Sequence, residues 1–318
     1  MTEIVDIICS VLNGERYLDQ FLESLSTQTH ADWRLWVRDD GSSDRSMEIV
    51  VARAAADSRV RILHVGGPRL GIAGAYGWLL ERAPRDAHVI MTADVDDVWL
   101  PHKIERTLDA MRRAESGWGS ATPILVHTDL TVVDERLDVV HHSYWAHSAL
   151  APEPAALRRQ IVRNLVAAPT LMMNAALREA IGATPAAALY QDWWYGLVAL
   201  VTGRIVTVRE PTVLYRQHGG NSVGARDPRV ELGALLSTVA NAFRGTPEFR
   251  RDLERLAGQA QALLDRYGDR LSASDRALVS GISTLPRRPF IGRKLDTLRY
   301  RVLPEEGLLR TIGILLRA

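Results

Sequence analysis

Residues 87–97, AHVIMTADVDD, run from a short apolar segment into three carboxylates. The apolar part, residues 87–91, has the length and continuous hydrophobicity of a buried strand. Asp94, Asp96 and Asp97 follow it at once. In an open α/β sheet, ligands bind just beyond the carboxyl ends of the strands. We therefore predict a buried strand that delivers an acidic cluster to a ligand site.

The chain before this strand alternates short apolar runs with amphipathic helical stretches. Strands are predicted at residues 4–9, 33–37 and 60–65, each followed by a helix. Asn13 is a predicted helix cap, ahead of an apolar stripe over residues 17–25. This alternation is typical of an α/β sheet with helices on its faces.

The rest of the chain divides into a mixed section and a helical section. The mixed section has predicted strands at 124–128 and 204–208 and helices near 155–166 and 192–202. The helical section, from about residue 228, has predicted helices at 229–244, 247–267, 273–283 and 305–317. We expect it to form a C-terminal helical extension.

Composition and charge exclude several classes of protein. Of 318 residues, 47% are hydrophobic and 24% are charged, as in a globular protein with a full core. The formal net charge of +1 provides no global field for nucleic acid, so no nucleic-acid partner is expected. The single cysteine, Cys9, excludes an intramolecular disulfide and suits a reducing compartment.

The sequence predicts a cytoplasmic protein. The N-terminus lacks a secretory signal pattern, and no apolar run approaches the roughly 20 residues that cross a bilayer. Residues 287–318 combine eight basic and three acidic residues with an apolar side. Such a segment either lies peripherally on the inner face of the plasma membrane or packs on the catalytic domain with a solvated face, and both readings stay open.

Two acidic clusters follow predicted strands, at Asp39–Asp44 and at Asp94–Asp97. Carboxylates placed together repel each other unless a cation or a hydrogen-bond donor offsets their charge. Mg²⁺ or Mn²⁺ is the simplest partner, because these ions are commonly held by one or two carboxylates and by substrate phosphates. The alternative is that the second cluster only caps the helix that begins near Lys103.

Five motifs together resemble glycosyltransferase family 2, which has the GT-A fold. They are Asn13–Leu18 (NGERYL), Asp39–Asp44 (DDGSSD), Asp94–Trp99 (DVDDVW), Gln191–Trp194 (QDWW) and Leu214–Asn221 (LYRQHGGN). The resemblance covers residues 4–225. It implies an α/β nucleotide-diphospho-sugar transferase fold, with a mostly parallel mixed sheet and flanking helices, over residues 1–225. Residues 226–318 would form the helical extension.

The resemblance also implies a set of donor and metal residues. Asp96, Asp94 and His218 would bind Mg²⁺ or Mn²⁺. The nucleotide-sugar donor would be bound by Asn13, Asp39, Asp40, Asp94 and Arg216, with Asp39 and Asp40 at the base or ribose and Arg216 at a phosphate. For His218 the alternative is a simple hydrogen bond to the backbone.

Asp192 resembles the catalytic base of the family. A carboxylate there would take the proton of an acceptor hydroxyl that attacks the anomeric carbon opposite the leaving nucleotide, which inverts the configuration. The acceptor residues would be Trp193, Trp194 and Thr170. The alternatives are that Asp192 is a helix cap and that one of the tryptophans packs in the core.

The implied function is transfer of a hexosyl or deoxyhexosyl unit from a dTDP- or UDP-sugar to a glycan or lipid-linked glycan in polysaccharide biosynthesis. The DVDDVW and DWW signatures resemble those of rhamnosyltransferases. An inactive protein that binds nucleotide sugars or polysaccharide, and a sugar nucleotidyltransferase, remain as alternatives. The former would lack one of the key aspartates, and the latter would show a Gly-rich loop with Arg and Lys after the first strand.

Two other enzyme classes fit poorly. Gly220–Gly224 matches a serine hydrolase nucleophile elbow around Ser222, but every histidine precedes that serine, whereas this fold requires one after it. A dehydrogenase would carry a Gly-rich fingerprint directly after the first strand, where residues 10–13 are Ser-Val-Leu-Asn.

Overall fold

The computed structural model describes residues 3–153, 156–219 and 247–288, with the backbone alone at 247–249. Its described strands form one sheet of nine, in the order β3-β2-β1-β4-β8-β6-β9-β5, with β7 paired to β6. The strands are β1 (Val5–Val11), β2 (Trp33–Asp39), β3 (Val60–His64), β4 (Val89–Ala93), β5 (Val98–Trp99), β6 (Ile124–Val133), β7 (Val139–His141), β8 (Met172–Asn174) and β9 (Arg204–Arg216).

Helices flank this sheet. They are α1 (Leu18–Ser26), α2 (Ser46–Ala56), α3 (Gly71–Arg82), α4 (Lys103–Trp118), α5 (Tyr144–His147), α6 (Leu157–Gln160), α7 (Ala175–Ile181), α8 (Gln191–Thr202), α9 (Pro247–Tyr267) and α10 (Ala273–Thr284). A single 3₁₀ turn, Ala168–Thr170, precedes β8.

The parallel strands of the sheet bring the two predicted acidic clusters together at their carboxyl ends. Strands β3, β2, β1 and β4 are parallel neighbours, and the pairings beyond β4 are mixed. Val11 pairs with Asp39, and Cys9 pairs with Ala93. The carboxyl ends of β1, β2 and β4 therefore meet, and the loops that follow them border one site.

Alternation along the strands divides the interior into two apolar layers. Ile8 and Ile90 belong to one layer, with α3, α7, α8, α9 and α10. Ile7 and Met91 belong to the other, with α1 and α4. Successive side chains of a strand point to opposite faces, so both faces of the central strands are buried. This explains why residues 87–91 are apolar without a polar alternation.

Three predicted elements differ from the structure. The helix predicted at 155–166 is only the turn α6, since Gln160 and Asn164 side chains accept hydrogen bonds from the backbone N–H groups of Leu165 (3.0 Å) and Val166 (3.2 Å). Asn13 does not cap a helix. Its φ is +51° and its side chain accepts from the Ser43 N–H at 2.8 Å, which joins two loops of the site.

Strand β9 has 13 residues, whereas only 204–208 were predicted. Its second half pairs on one side with β6 and on the other with β5. This pairing brings Arg216, and the chain that follows it, to the acidic loop after β4. The polar residues of that second half hid the strand from an argument based on hydrophobic runs.

The C-terminal helices α9 and α10 confirm the helices predicted at 247–267 and 273–283. Tyr267 lies 6.2 Å from Trp194 between ring centroids, and the Tyr267 hydroxyl donates to the Ala180 carbonyl at 2.7 Å. These helices therefore share an apolar layer with α8. The helices predicted at 229–244 and 305–317, nearly all of the basic segment 287–318 and the predicted boundary at 225/226 lie outside the described residues. Among the helices that can be described, none has the length and apolarity to cross a membrane.

Gly203 joins α8 to β9 where no larger residue fits. A Cβ at this position would lie 1.8 Å from the carbonyl oxygen of Pro123. We expect Gly203→Ala to lower the free energy of unfolding by roughly 3 kcal/mol, because a backbone atom has to move. Urea unfolding checks this value. Gly117→Ala, in α4, is the control: no atom lies within 4 Å of its added Cβ, and we expect a gain of about 0.5–1 kcal/mol.

Candidate active site

Asp94 stands directly after β4 and is held by a tyrosine of α3. The Tyr76 hydroxyl lies 2.9 Å from Asp94 Oδ1 and 2.5 Å from the Ala93 carbonyl oxygen. Burial, and then the charges of Asp96 and Asp192, raise the pKa of Asp94 to about 7, while the bond from Tyr76 opposes the shift. Asp94 is thus a carboxylate whose charge the site itself disfavours, which is the setting of a cation site.

Asp96 meets His218 across the loop. His218 Nε2 lies 3.0 Å from Asp96 Oδ2, and the imidazole packs against the Tyr17 ring at 4.8 Å between centroids. Two residues that lie 122 positions apart in the chain therefore contribute to one point of the site. The sequence predicted this pair as metal ligands, and the structure brings the two side chains together.

Arg216 locks the loop that carries Asp96. Its guanidinium donates to the carbonyl oxygens of Asp96 (2.8 Å) and Glu135 (2.6 Å), and its backbone N–H donates to Asp97 Oδ1 at 3.0 Å. The side chain is 2% exposed and stacks on Tyr17, with 4.7 Å from its central carbon to the ring centroid. This geometry corrects the prediction that Arg216 pairs with a donor phosphate, because the guanidinium already donates its hydrogen bonds to groups of the protein.

The donor set fits a divalent cation that is shared with a substrate. Asp96 and His218 supply an oxygen and a nitrogen side by side, and Asp94 adds a second carboxylate on the same loop. Within the described parts of the chain, no three His, Cys, Asp or Glu side chains converge closely enough to hold an ion alone. Mg²⁺ and Mn²⁺ commonly complete their coordination with phosphate oxygens, so the residues present suit a site of that kind.

Asp39 and Asp40 hold the neighbouring loops. Asp40 forms an ion pair with Arg38 and accepts hydrogen bonds at the start of α3, from the N–H groups of Leu70 (2.8 Å) and Gly71 (2.9 Å). Asp39 accepts from the N–H groups of Ser42 (2.9 Å) and Gly66 (3.2 Å). Both carboxylates are 3% exposed. Their structural role is thereby established, and direct contact with a base or ribose stays a prediction, as it does for Asn13.

Asp192 lies in the first turn of α8, near enough to the loop after β4 for its charge to raise the pKa of Asp94. Its carboxylate accepts from the backbone N–H groups of Ala168 (2.9 Å) and Trp193 (2.7 Å). Burial raises the pKa of Asp192 to about 6, against the lowering effect of these hydrogen bonds. At neutral pH the group is ionised and is still a stronger base than an exposed aspartate.

Comparison with known proteins places this site in a family. Residues 6–137 match the family model described as Glycosyl transferase family 2. The match assigns residues 6–137, the N-terminal part of the chain, to glycosyl transferase family 2. The matched range includes the loops that carry Asp39, Asp40, Asp94 and Asp96.

Several proteins of similar sequence are named as glycosyltransferases. An uncharacterized glycosyltransferase of Nostoc sp. is 24% identical over 225 residues, 69% of this chain and 66% of the relative. The dTDP-rhamnosyl transferase RfbG of Shigella flexneri is 23% identical over 77% of this chain and 82% of its own. A β-1,3-glucosyltransferase of Escherichia coli, WfgD, is 33% identical over 34% of this chain and 41% of its own length. The chain thus covers less than two thirds of the Nostoc and E. coli relatives.

The solved structure of S. aureus TarS 1–349 in complex with UDP-GlcNAc resembles this chain in fold. The TM-score is 0.58 with 15% sequence identity, and the likeness covers 99% of this chain and 90% of TarS 1–349. At this identity the likeness concerns the fold. It confirms the prediction of a GT-A α/β fold with C-terminal helices.

Two of the three predicted acceptor residues are buried. Trp194 and Thr170 are 0% exposed, so the prediction that they contact an acceptor is corrected. Consecutive helix residues point about 100° apart, so Trp194, two positions after Asp192, points to nearly the opposite side of α8. That side of the helix packs into the core. Trp193 is half-buried, and its indole N–H donates to the Gln160 carbonyl. It alone of the three remains a candidate for stacking on a sugar.

Four residues of the site were missing from the sequence argument. Tyr76 and Tyr17 were treated as apolar positions of helices, although their polar or aromatic groups support Asp94 and His218. Asn164 and Gln160 were placed inside a predicted helix. A polar pair spaced four residues apart just before a buried segment was the available signal, and only the structure shows its contacts, such as the Trp193 indole N–H on the Gln160 carbonyl.

Lys103 lies buried beneath the acidic loop that follows β4. Its Nζ stacks on Trp99 at 4.6 Å from the ring centroid and has no hydrogen-bond partner among the described residues. Burial lowers the pKa of Lys103 to about 7, although Asp97 opposes the shift. Between pH 7 and about 10.5 the unfolded chain binds this proton and the folded chain releases it, so this group makes stability rise with pH.

We expect Lys103→Met to raise the free energy of unfolding at pH 7 by about 1–2 kcal/mol and to reduce its increase toward pH 10. Denaturant unfolding at several pH values, compared with wild type, measures both effects. Arg106→Met, one turn along α4 and 54% exposed in its side chain, is the control with an unchanged pH dependence. A pH dependence retained in the Lys103 variant would contradict the assignment.

Proposed function

We propose that the chain transfers a sugar, with inversion, from a dTDP- or UDP-sugar to a hydroxyl of a glycan or lipid-linked glycan, and that transfer requires Mg²⁺ or Mn²⁺. One observation carries the proposal. The buried carboxylate of Asp192 lies close enough to the group formed by Asp94, Asp96 and His218 for its charge to raise the pKa of Asp94. A base and a diphosphate-binding group opposite each other are what an in-line displacement needs.

Asp192 is the base in this proposal. The acceptor hydroxyl donates its proton to the Asp192 carboxylate as its oxygen bonds to the anomeric carbon, and the bond from that carbon to the diphosphate breaks on the opposite face. A pKa near 6 leaves the base ionised at neutral pH while it retains basicity. The half-buried Trp193 next to it supplies an aromatic face for the acceptor sugar.

Asp96 and His218, with Asp94, are the residues that would hold the divalent cation. When bound, the cation supplies Lewis-acid neutralisation of the departing diphosphate. Arg216 contributes by fixing the Asp96 carbonyl and, through Asp97, the end of β9 that leads to His218. Tyr76 fixes Asp94 in the same way from α3.

The choice of donor rests on a relative. RfbG, named a dTDP-rhamnosyl transferase, matches 77% of this chain. This supports dTDP-rhamnose as the first donor to test and a role in polysaccharide biosynthesis. The proposal retains a catalytic domain over 1–225 and a helical extension over 226–318, whose basic segment 287–318 would attach the protein to a membrane surface.

The proposal is tested by calorimetry of the purified chain with dTDP, UDP and GDP, each with and without Mn²⁺. One nucleotide is expected to bind in a metal-dependent manner. The corresponding sugar nucleotide is then incubated with a panel of glycan and lipid-linked acceptors, and the anomeric configuration of the product is read by NMR. Absence of nucleotide binding under all conditions, or a product that retains the donor configuration, contradicts the proposal.

Flotation of the chain with anionic vesicles tests the membrane part separately. A chain ending at residue 288 is expected to lose vesicle binding while it keeps nucleotide binding. Equal flotation of the two proteins contradicts the role given to the basic segment.

A further inference from the structure

Tyr17 directly precedes α1, and two residues near the end of β9 pack on its aromatic ring. The guanidinium carbon of Arg216 lies 4.7 Å from the ring centroid, and the centroid of the His218 imidazole lies 4.8 Å from it. Both distances are those of favourable cation–aromatic and ring–ring contacts. Tyr17 is 8% exposed, so its ring offers no open face to a sugar or a base.

These two contacts belong to a closed circuit that runs through Asp96. Arg216 Nε donates to the backbone carbonyl of Asp96 at 2.8 Å, and the Asp96 Oδ2 atom lies 3.0 Å from His218 Nε2. Because Arg216 and His218 both pack on Tyr17, the circuit returns to its start. It joins the start of α1, the loop after β4 and the end of β9, so a shift of any one of them breaks a contact.

The turn before Tyr17 holds that residue in place. The Tyr17 N–H donates to the Gly14 carbonyl at 2.9 Å, and the Gly14 N–H donates to Ser46 Oγ at 2.8 Å. A Cβ at Gly14 would lie 2.8 Å from Cγ2 of Val95, so this position has no room for a side chain. The turn is therefore fitted against the same loop that carries Asp96.

The circuit holds the two proposed cation ligands at a spacing that suits a cation. The ligands of octahedral Mg²⁺ lie roughly 2.0–2.1 Å from the ion, so two neighbouring ligands are about 2.9 Å apart. Asp96 Oδ2 and His218 Nε2 are already 3.0 Å apart. A ligand pair that is held at this spacing before binding loses less conformational freedom when the cation binds, which favours affinity.

We propose that Tyr17 is a positioning residue of the cation site: its ring supports His218 and Arg216 and thereby keeps His218 Nε2 and Asp96 Oδ2 at the spacing of two ligands of one divalent cation. The inference rests on the proposed function, because it takes Asp96 and His218 as the ligands. The aromatic face is the part of Tyr17 that acts. Gln20 assists from α1, since its Oε1 accepts from Arg216 Nη2 at 2.5 Å.

The test is the gain in nucleotide affinity that Mn²⁺ produces. The full chain is titrated by calorimetry with dTDP and with UDP, in Mn²⁺ and in EDTA. Tyr17→Leu keeps an apolar side chain but removes the aromatic face. We expect binding in Mn²⁺ to weaken about tenfold, as when a residue that orients a metal ligand is lost, and binding in EDTA to stay unchanged. Tyr17→Phe keeps the ring and should behave as wild type.

Two further variants keep the test decisive. Tyr267→Leu is the matched control: the same substitution falls on a tyrosine that is 6% exposed and packs on Trp194. It should lower stability and leave the effect of Mn²⁺ on nucleotide binding unchanged. Gln20→Met changes an exposed side chain and removes one acceptor of Arg216, so a smaller loss of about threefold in Mn²⁺ is expected. If Tyr17→Leu fails to fold, Gln20→Met decides the question.

The outcomes separate the role of Tyr17 from the proposed function. Folded Tyr17→Leu or Gln20→Met proteins with the full gain from Mn²⁺ overturn that role, and so does a loss that is equal in Mn²⁺ and in EDTA. A Tyr17→Phe protein as impaired as Tyr17→Leu overturns the part given to the aromatic face. These results leave the proposed function intact if Asp96→Asn has lost metal-dependent binding. A wild-type chain whose nucleotide binding does not respond to Mn²⁺ overturns both.

Discussion

Asp192→Asn is expected to lose sugar transfer by about 10³-fold, since general-base catalysis contributes typically 10²–10⁴-fold. The amide keeps the shape of the side chain but has no basic oxygen for the acceptor proton. Donor binding, measured by calorimetry, should stay within a few-fold of wild type, because the predicted donor residues lie on other loops. The loss therefore falls on kcat.

The wild-type pH profile belongs to the same prediction. Transfer requires ionised Asp192, and burial raises the pKa of Asp192 to about 6, so kcat/KM should fall as the pH drops through about 6. Asp275→Asn, in the first turn of α10, is the matched control for a change at a helix start and should leave transfer unchanged. An Asp192→Asn protein with more than a tenth of wild-type activity would exclude Asp192 as the base.

Asp96→Asn is expected to abolish metal-dependent nucleotide binding and to lower kcat/KM by about 10³-fold. Neutralisation of a leaving diphosphate is worth several kcal/mol, and each 1.36 kcal/mol is a factor of ten in rate. The amide keeps the size of the group and can still face His218 at 3.0 Å, so the fold should be preserved. Calorimetry with Mn²⁺ and steady-state kinetics measure the two losses.

His218→Ala adds a graded comparison. The imidazole beside Asp96 is one ligand of a shared site, so we expect a smaller loss, about 10–100-fold in metal affinity. Asp109→Asn, an exposed change on α4, is the control with wild-type binding. Mn²⁺-dependent nucleotide binding that survives in Asp96→Asn would refute the assignment of the metal site.

The sequence was sufficient for the part of the fold that depends on local periodicity. The apolar run before Asp94 and the helical stripes of α1, α3, α9 and α10 lie where the patterns predicted them. Runs with a clear period bury one face or both faces, whatever the rest of the chain does. The helix predicted at 155–166 did not form over that range, because the side chains of Gln160 and Asn164 bond to backbone groups that a helix would use.

The roles of individual polar and aromatic residues could not be predicted from the sequence in the same way. Arg216 follows the pattern of a phosphate-binding residue, yet its guanidinium is buried against the carbonyl oxygens of Asp96 and Glu135. Trp194 adjoins the base in sequence but lies in the core beside Tyr267. Residue type states what a side chain can do, whereas its direction and its competitors for hydrogen bonds come from packing.

By itself, the sequence determined the α/β class and the resemblance to glycosyltransferase family 2, and it predicted Asp94, Asp96 and Asp192 as the functional carboxylates, because these follow from residue type, local order and spacing. Only the tertiary structure decided which groups meet. The long strand β9 leads to His218 beside Asp96, α3 carries Tyr76 to Asp94, and the 3₁₀ turn before β8 carries the Ala168 N–H to Asp192. These contacts join residues far apart in the chain, and their partners are selected by strand pairing and by the demand that every buried polar group be satisfied.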